Sequence, residues 1–144
     1  LRRVLQVFPN EVSALMLYVH VLGWLAGRPD AAAPLAARVV SVDPLNAASL
    51  LVSAMVPLFA GRFAEAVELA RRMFALDPVT PVWRANYAMA LLYNQQIDEA
   101  ESLTAGVTAH PDSDVGTWQI GLQRAAWRRD RAEVLRLAGG PHRQ

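Results

Sequence analysis

The sequence predicts an all-α protein made of antiparallel helix pairs repeated along the chain, and three observations carry that prediction. The first is an echo at one fixed spacing. Gly27-Arg28-Pro29-Asp30-Ala31-Ala32 returns, at an offset of 34, as Gly61-Arg62-Phe63-Ala64-Glu65-Ala66. Ala36, Arg38 and Asp43-Pro44 return at the same offset as Ala70, Arg72 and Asp77-Pro78, without a gap. A period of this length marks stacked supersecondary units. The second is a regular beat of turn signals at Pro9-Asn10, Gly27-Arg28, Asp43-Pro44, Gly61-Arg62, Asp77-Pro78, Asn94-Gln95, His110-Pro111 and Arg129-Asp130. They lie about 15 to 19 residues apart, one helix plus its connection. The third is the apolar spacing between the turns. Phe63, Ala66, Val67, Ala70, Met73 and Phe74 recur at three- and four-residue steps, the pattern of one helix face.

These signals place the elements in order. Residues 1–8 read as the last turns of an earlier second helix, so the expectation is a piece cut from a longer protein. Helices follow over 11–26, 29–42, 45–60, 62–76, 80–94, 96–109, 113–127 and 130–138. Each Asp-Pro closes one helix and opens the next, because proline cannot continue a helix and biases the residue before it toward extended backbone. Glycine supplies the tight reversals at 27 and 61. On 62–76 the charged side carries Arg62, Glu65, Glu68, Arg71 and Arg72, with Glu68 and Arg72 at the favourable i,i+4 spacing. Pro34 and Pro57 fall inside helices, where local kinks are expected.

Composition limits the function classes. A chain of 144 residues with 53% hydrophobic and 19% charged residues can bury a core and is not a disordered linker. The formal net charge of +1 gives no overall attraction to nucleic acid or an anionic membrane. All fourteen basic residues are arginine, which a GC-rich genome explains. The absence of cysteine excludes disulfides, thiolate metal sites and cysteine nucleophiles. The most apolar stretches, residues 12–26 and 47–60, fall short of the roughly 20 residues that span a bilayer, so no membrane insertion is expected. With no targeting segment in view, the expected compartment is the cytoplasm.

The run Gly61-Arg62-Phe63-x-Glu65-Ala66-x3-Ala70 followed by Leu76-Asp77-Pro78, at a 34-residue period, resembles the tetratricopeptide repeat. The resemblance covers about residues 9–139 and is strongest over 27–78. It implies a TPR-like solenoid, with helix pairs stacked as a right-handed α-α superhelix. One such domain would span 1–144. Its parts would be the end of a preceding repeat (1–10), repeats at 11–44, 45–78 and 79–111, a degenerate capping repeat at 112–139 and a tail at 140–144. Pro78 and Pro111 lie 33 apart rather than 34, which suggests a one-residue deletion near Gly106.

In such stacks the first helix of each pair lines a concave groove, and Ala32, Ala66 and Ala100 are the small sites where paired helices approach. By phase, the inward positions are Leu17, Tyr18, Val21, Trp24 and Leu25, then Leu51, Val52, Met55, Leu58 and Phe59, then Ala85, Asn86, Met89, Leu92 and Tyr93. The set is nearly all apolar and fits a peptide or amphipathic helix. The candidate partner-binding residues are Tyr18, Trp24, Met55, Phe59, Asn86, Met89 and Tyr93. Some members of the family grip a carboxylate with cationic side chains. The matching positions here are Ala14, Tyr18, Ala48, Val52 and Val82, so an acidic tail is not expected in that mode.

The C-terminal arginines (Arg124, Arg128, Arg129, Arg131, Arg136, Arg143) beside Asp114, Asp130 and Glu133 read as a polar cap on a hydrophobic stack, the alternative being an anion-facing edge. Trp118 and Trp127 read as core anchors, and no nucleic-acid partner is expected. No catalytic residue, metal site or cofactor is expected. His20, His110 and His142 stand in separate contexts, and no phosphate-cradling glycine loop or Gly-x-Ser-x-Gly occurs. The Asp98-Glu99-Glu101 cluster suits the positive end of a helix dipole. The function these readings imply is a non-catalytic scaffold holding a protein or peptide, within a larger multidomain chain. Two alternatives stand beside it: a homotypic module forming a homodimer, and the regulatory part of a signalling enzyme or transcriptional regulator.

Overall fold

The computed structural model describes residues 2–105 and 115–138, with side chains over 3–105 and 120–138. Among them are nine α-helices and no strand: α1 (Arg2–Val7), α2 (Val12–His20), α3 (Pro29–Val42), α4 (Ala47–Phe59), α5 (Phe63–Leu76), α6 (Pro81–Tyr93), α7 (Ile97–Thr104), α8 (Val115–Trp127) and α9 (Arg131–Ala138). A π-helical turn, Val21–Leu25, continues α2. The turn expected at His110-Pro111, together with His142, Arg143, Asp114 and the Trp118 side chain, lies outside the described residues. The helices form two compact units, Leu1–Pro78 and Val79–Gln144.

In the first unit each helix packs on its sequence neighbour from α2 to α5, and α2 also reaches α4. Leu15, Val19, Ala32, Ala36, Val39 and Val56 form one buried cluster. Ala32 and Ala66 are both buried, as close helix approach requires. Polar ties add direction: Ser53 Oγ donates to the Ala36 carbonyl at 3.2 Å, and the Arg38 guanidinium donates to Asn10 Oδ1 at 2.8 and 3.1 Å. Glu68 pairs with Arg71 at 2.8 Å, one residue earlier than the i,i+4 partner expected from the sequence. In the second unit α6 packs on α7 and α8, and α8 on α9. Tyr87 Oη donates to Glu99 Oε1 at 3.1 Å across α6 and α7.

Helix starts follow from local chemistry. Glu11 caps α2 by accepting from the Ser13 and Ala14 N–H groups, and Asn46 caps α4 by accepting from Ala48 and Ser49. Pro29 and Pro81 occupy first-turn positions, where the missing N–H costs nothing. Helices α3 and α4 stay continuous across Pro34 and Pro57. Pro34 deprives only the carbonyl of exposed Asp30, in the first turn, where water can serve it. Pro57 sits in the last turn of α4 with its ring buried.

Every first helix is followed by a residue in the left-handed conformation. Gly27 (φ 59°), Gly61 (φ 75°), Gln95 (φ 64°) and Arg129 (φ 55°) take that conformation. They stand at one constant interval, the period of the sequence repeat. After α4, Arg62 N–H donates to the Pro57 carbonyl and Gly61 N–H to Leu58. Gln96 and Gln95 do the same to Leu91 and Leu92 after α6, and Asp130 and Arg129 to Ala125 and Ala126 after α8. This pair of bonds satisfies the last carbonyls of a helix. The left-handed residue of the last helix pair thus stands at the period of the others, while the one-residue deletion expected near Gly106 lies outside the described residues.

Candidate functional site

The first helices carry the candidate residues. In the first unit, Trp24 ends up 59% exposed and Phe59 44% exposed. Their rings lie nearly parallel (22°) with centroids 6.2 Å apart, and the His20 imidazole meets the Trp24 ring edge-on at 4.7 Å. Leu17 and Leu25 are exposed beside them in sequence, while Tyr18 and Met55 are half-buried. The structure therefore brings Trp24 and Phe59 together as an open aromatic pair backed by a histidine.

In the second unit Met89, Asn86 and Tyr93 are half-buried. Asn86 Nδ2 donates to the Val82 carbonyl of its own helix at 2.8 Å. The Tyr93 ring meets Trp127 edge-on at 5.5 Å. Trp127 is 40% exposed, which corrects its assignment as a core anchor. A signal for it was present: Trp127 stands one repeat period after Tyr93 and two after Phe59.

Three inward positions expected to be open are core instead. Leu58, Ala85 and Leu92 are buried, because a first helix in a stack has neighbours on more than one side and only part of its apolar surface is left free.

Several members of the polar clusters are paired with one another. Arg128 pairs with Glu101 and lies 3.9 Å from Asp98, and Arg124 lies 3.9 Å from Glu101. The acidic residues of α7 thus serve Arg124 of α8 and Arg128 in the turn after it, beyond the dipole role the sequence suggested. Glu99 is taken up by Tyr87 and Gln96. Arg136 donates to both Glu133 oxygens at 2.6 Å, which holds the Glu133 carboxyl below its ordinary pKa and raises that of Arg136. Among the described residues no group of three or more His, Asp or Glu could hold a metal ion, and no helix is long and apolar enough to cross a membrane.

No protein-family model and no curated protein matches the sequence. Among solved structures the chain is similar to the crystal structure of MamA, with a TM-score of 0.66 at 18% identity, covering 94% of this chain and 79% of that one. At that identity the likeness is one of fold. Together with the periodic caps and the sequential pairing of helices, it gives this chain the tetratricopeptide-type helical-repeat fold.

Proposed function

We propose that this chain is a non-catalytic protein–protein interaction scaffold that holds a peptide or a partner helix on the apolar faces of its first helices. The observation that carries the reading is the open Trp24–Phe59 pair: two large aromatic rings left to solvent by a protein with an ample apolar core. Exposed aromatic and Met side chains in a contiguous patch mark interaction surfaces, and such anchors dominate binding energy once water is excluded. Tyr18 and Met55 supply half-buried walls in the first unit. Asn86, Met89 and Tyr93 are the corresponding contacts proposed for the second, within the repeats 11–44, 45–78 and 79–111. A role inside a larger multidomain chain is part of the same proposal.

The test is retention of a partner from host lysate by the native chain and by a Met55→Glu/Phe59→Glu variant of equal helicity by circular dichroism. A protein held by the first and lost by the second supports the reading. Identical empty lanes sink it in favour of a structural spacer. A concentration-dependent dimer by light scattering, abolished in the variant, would identify the homotypic module instead.

A further inference from the structure

The first unit separates charge from apolar surface more sharply than binding alone requires. Residues 12–25 and Ala47–Phe59, the two first helices, contain no Asp, Glu, Lys or Arg. The charges lie on the other helices and the turns, and several are engaged there: Arg62 sits 2.9 Å from Glu65 and 3.7 Å from Asp30, Glu68 holds Arg71, and Arg38 holds Asn10. On the first helices the titratable side chains are His20 and Tyr18.

A second observation concerns helix length. The stretch from the N-cap Glu11 to the left-handed Gly27 is longer by a single position than Asn46 to Gly61 or Thr80 to Gln95. The extra residue is taken up by the π turn, in which the Ala26 N–H donates to the carbonyl of Val21, five residues back, at 2.9 Å. Insertions of this kind in α-helices concentrate at functional sites. Trp24 stands third before its cap, the place that Leu58 and Leu92 hold in the next two first helices. Those leucines are buried and Trp24 is open, set against Phe59.

We propose that this face takes a partner segment whose contacting side chains are uncharged and apolar, and that the extra residue of the first helix sets Trp24 as its specificity-determining contact. The proposal rests on the binding reading above and narrows it to one occupant. Charge complementarity selects that occupant: a lysine or glutamate pressed onto 12–25 or Ala47–Phe59 would lose its water and meet no opposite charge on either helix. A leucine, isoleucine, methionine or phenylalanine would carry no such desolvation cost and would gain contact with two aromatic rings. Trp24 is proposed to act by direct contact with that segment, and the π turn only by positioning it.

The experiment is selection of displayed random peptides on the full 144-residue chain, followed by anisotropy titration of the most enriched peptide carrying a fluorophore. Enriched sequences should show uncharged apolar residues at three- and four-residue spacing. Trp24→Ala and Phe59→Ala should each weaken the titrated peptide by about tenfold or more, as hot-spot contacts do. Leu45→Ala, an exposed apolar control outside both helices, should change it less than about twofold. All variants are first matched for helicity. A consensus rich in Asp, Glu, Lys or Arg that still needs Phe59 would overturn this inference and leave the binding reading standing. A peptide indifferent to Trp24→Ala would remove Trp24 as the specificity contact. No enrichment over a blank surface would sink the binding reading itself. A dimer by light scattering that Trp24→Glu dissolves would show the occupant to be a second copy.

Discussion

Gln95 and Arg129 are residues with a side chain held at positive φ, where the Cβ crowds the following carbonyl. Gln95→Gly is expected to stabilise the protein. The left-handed conformation costs a non-glycine residue roughly 1–2 kcal/mol, and glycine returns about 0.5–1 kcal/mol of that through its freer unfolded chain. The net gain is about 0.5–1 kcal/mol. For a domain of this size it corresponds to a rise in Tm of about 1–4 °C and to a urea midpoint higher by a few tenths molar, on the order of 0.3 M. The reverse change, Gly61→Gln, should lose a similar amount. A Cβ built at Gly61 meets nothing within 4 Å, so the loss would come from backbone conformation and not from a clash. Paired urea titrations followed by circular dichroism measure both. Unchanged midpoints, or a Gln95→Gly variant less stable than the parent, would refute the view that the four caps share one conformation and that two of them carry its cost.

Three further expectations are open to direct measurement. Gly23→Ala should be neutral or stabilising by up to about 1 kcal/mol, since its Cβ would meet Ala32 Cβ at 3.7 Å and Val56 Cγ2 at 3.8 Å, ordinary contact distances; a loss above that size by thermal melting would show the π turn to need glycine. Met73→Ala, at a fully buried side chain of α5, should cost about 2–5 kcal/mol through lost burial and a cavity, seen as a lower urea midpoint. Glu133 should titrate below the ordinary carboxylate range by carbon-detected NMR, and return to it in Arg136→Ala, because the Arg136 hydrogen bond lowers its pKa. The pair's small contribution to stability is then complete above the unfolded carboxylate pKa and is lost as pH falls through the folded one. A normal Glu133 titration would break that link.

The sequence marked helices more readily than open surface, for a physical reason. Turns are written in residue types that few other structures need, so Gly27, Gly61 and the Asp-Pro pairs place the elements to within a few residues. The turns at Asn94-Gln95 and Arg129-Asp130 were legible, but their left-handed backbone was not, because Gln and Arg do not by themselves prefer positive φ. The extra residue of the first helix was hidden as well. Gly27 and Gly61 keep the common period, and the insertion lies upstream of Gly27, where only the change of N-cap from Glu11 to Asn46 records it. Which apolar residues are open was least legible of all. A first helix that is apolar around most of its circumference gives no periodic sign of its free side, so Leu58 and Leu92 looked equivalent to Phe59 and Tyr93 until their burial was known.

The caps and the candidate surface are one construction. Phe59, Tyr93 and Trp127 are the last helical residues of α4, α6 and α8, and Leu25 is the last of the π turn. Each stands two residues before a left-handed cap, and each is exposed or half-buried. The cap fixes the final turn by satisfying its carbonyls, so the side chain at that place is held at a defined angle to its own helix pair. In the first unit this presents Phe59 to Trp24, and in the second it presents Trp127 to Tyr93. A large apolar side chain at that position contributes little to the core, since the residues just before it, Leu58 and Leu92, already fill the interior. Under the binding reading proposed above, its recurrence at Leu25, Phe59, Tyr93 and Trp127 offers a partner one apolar contact from each repeat.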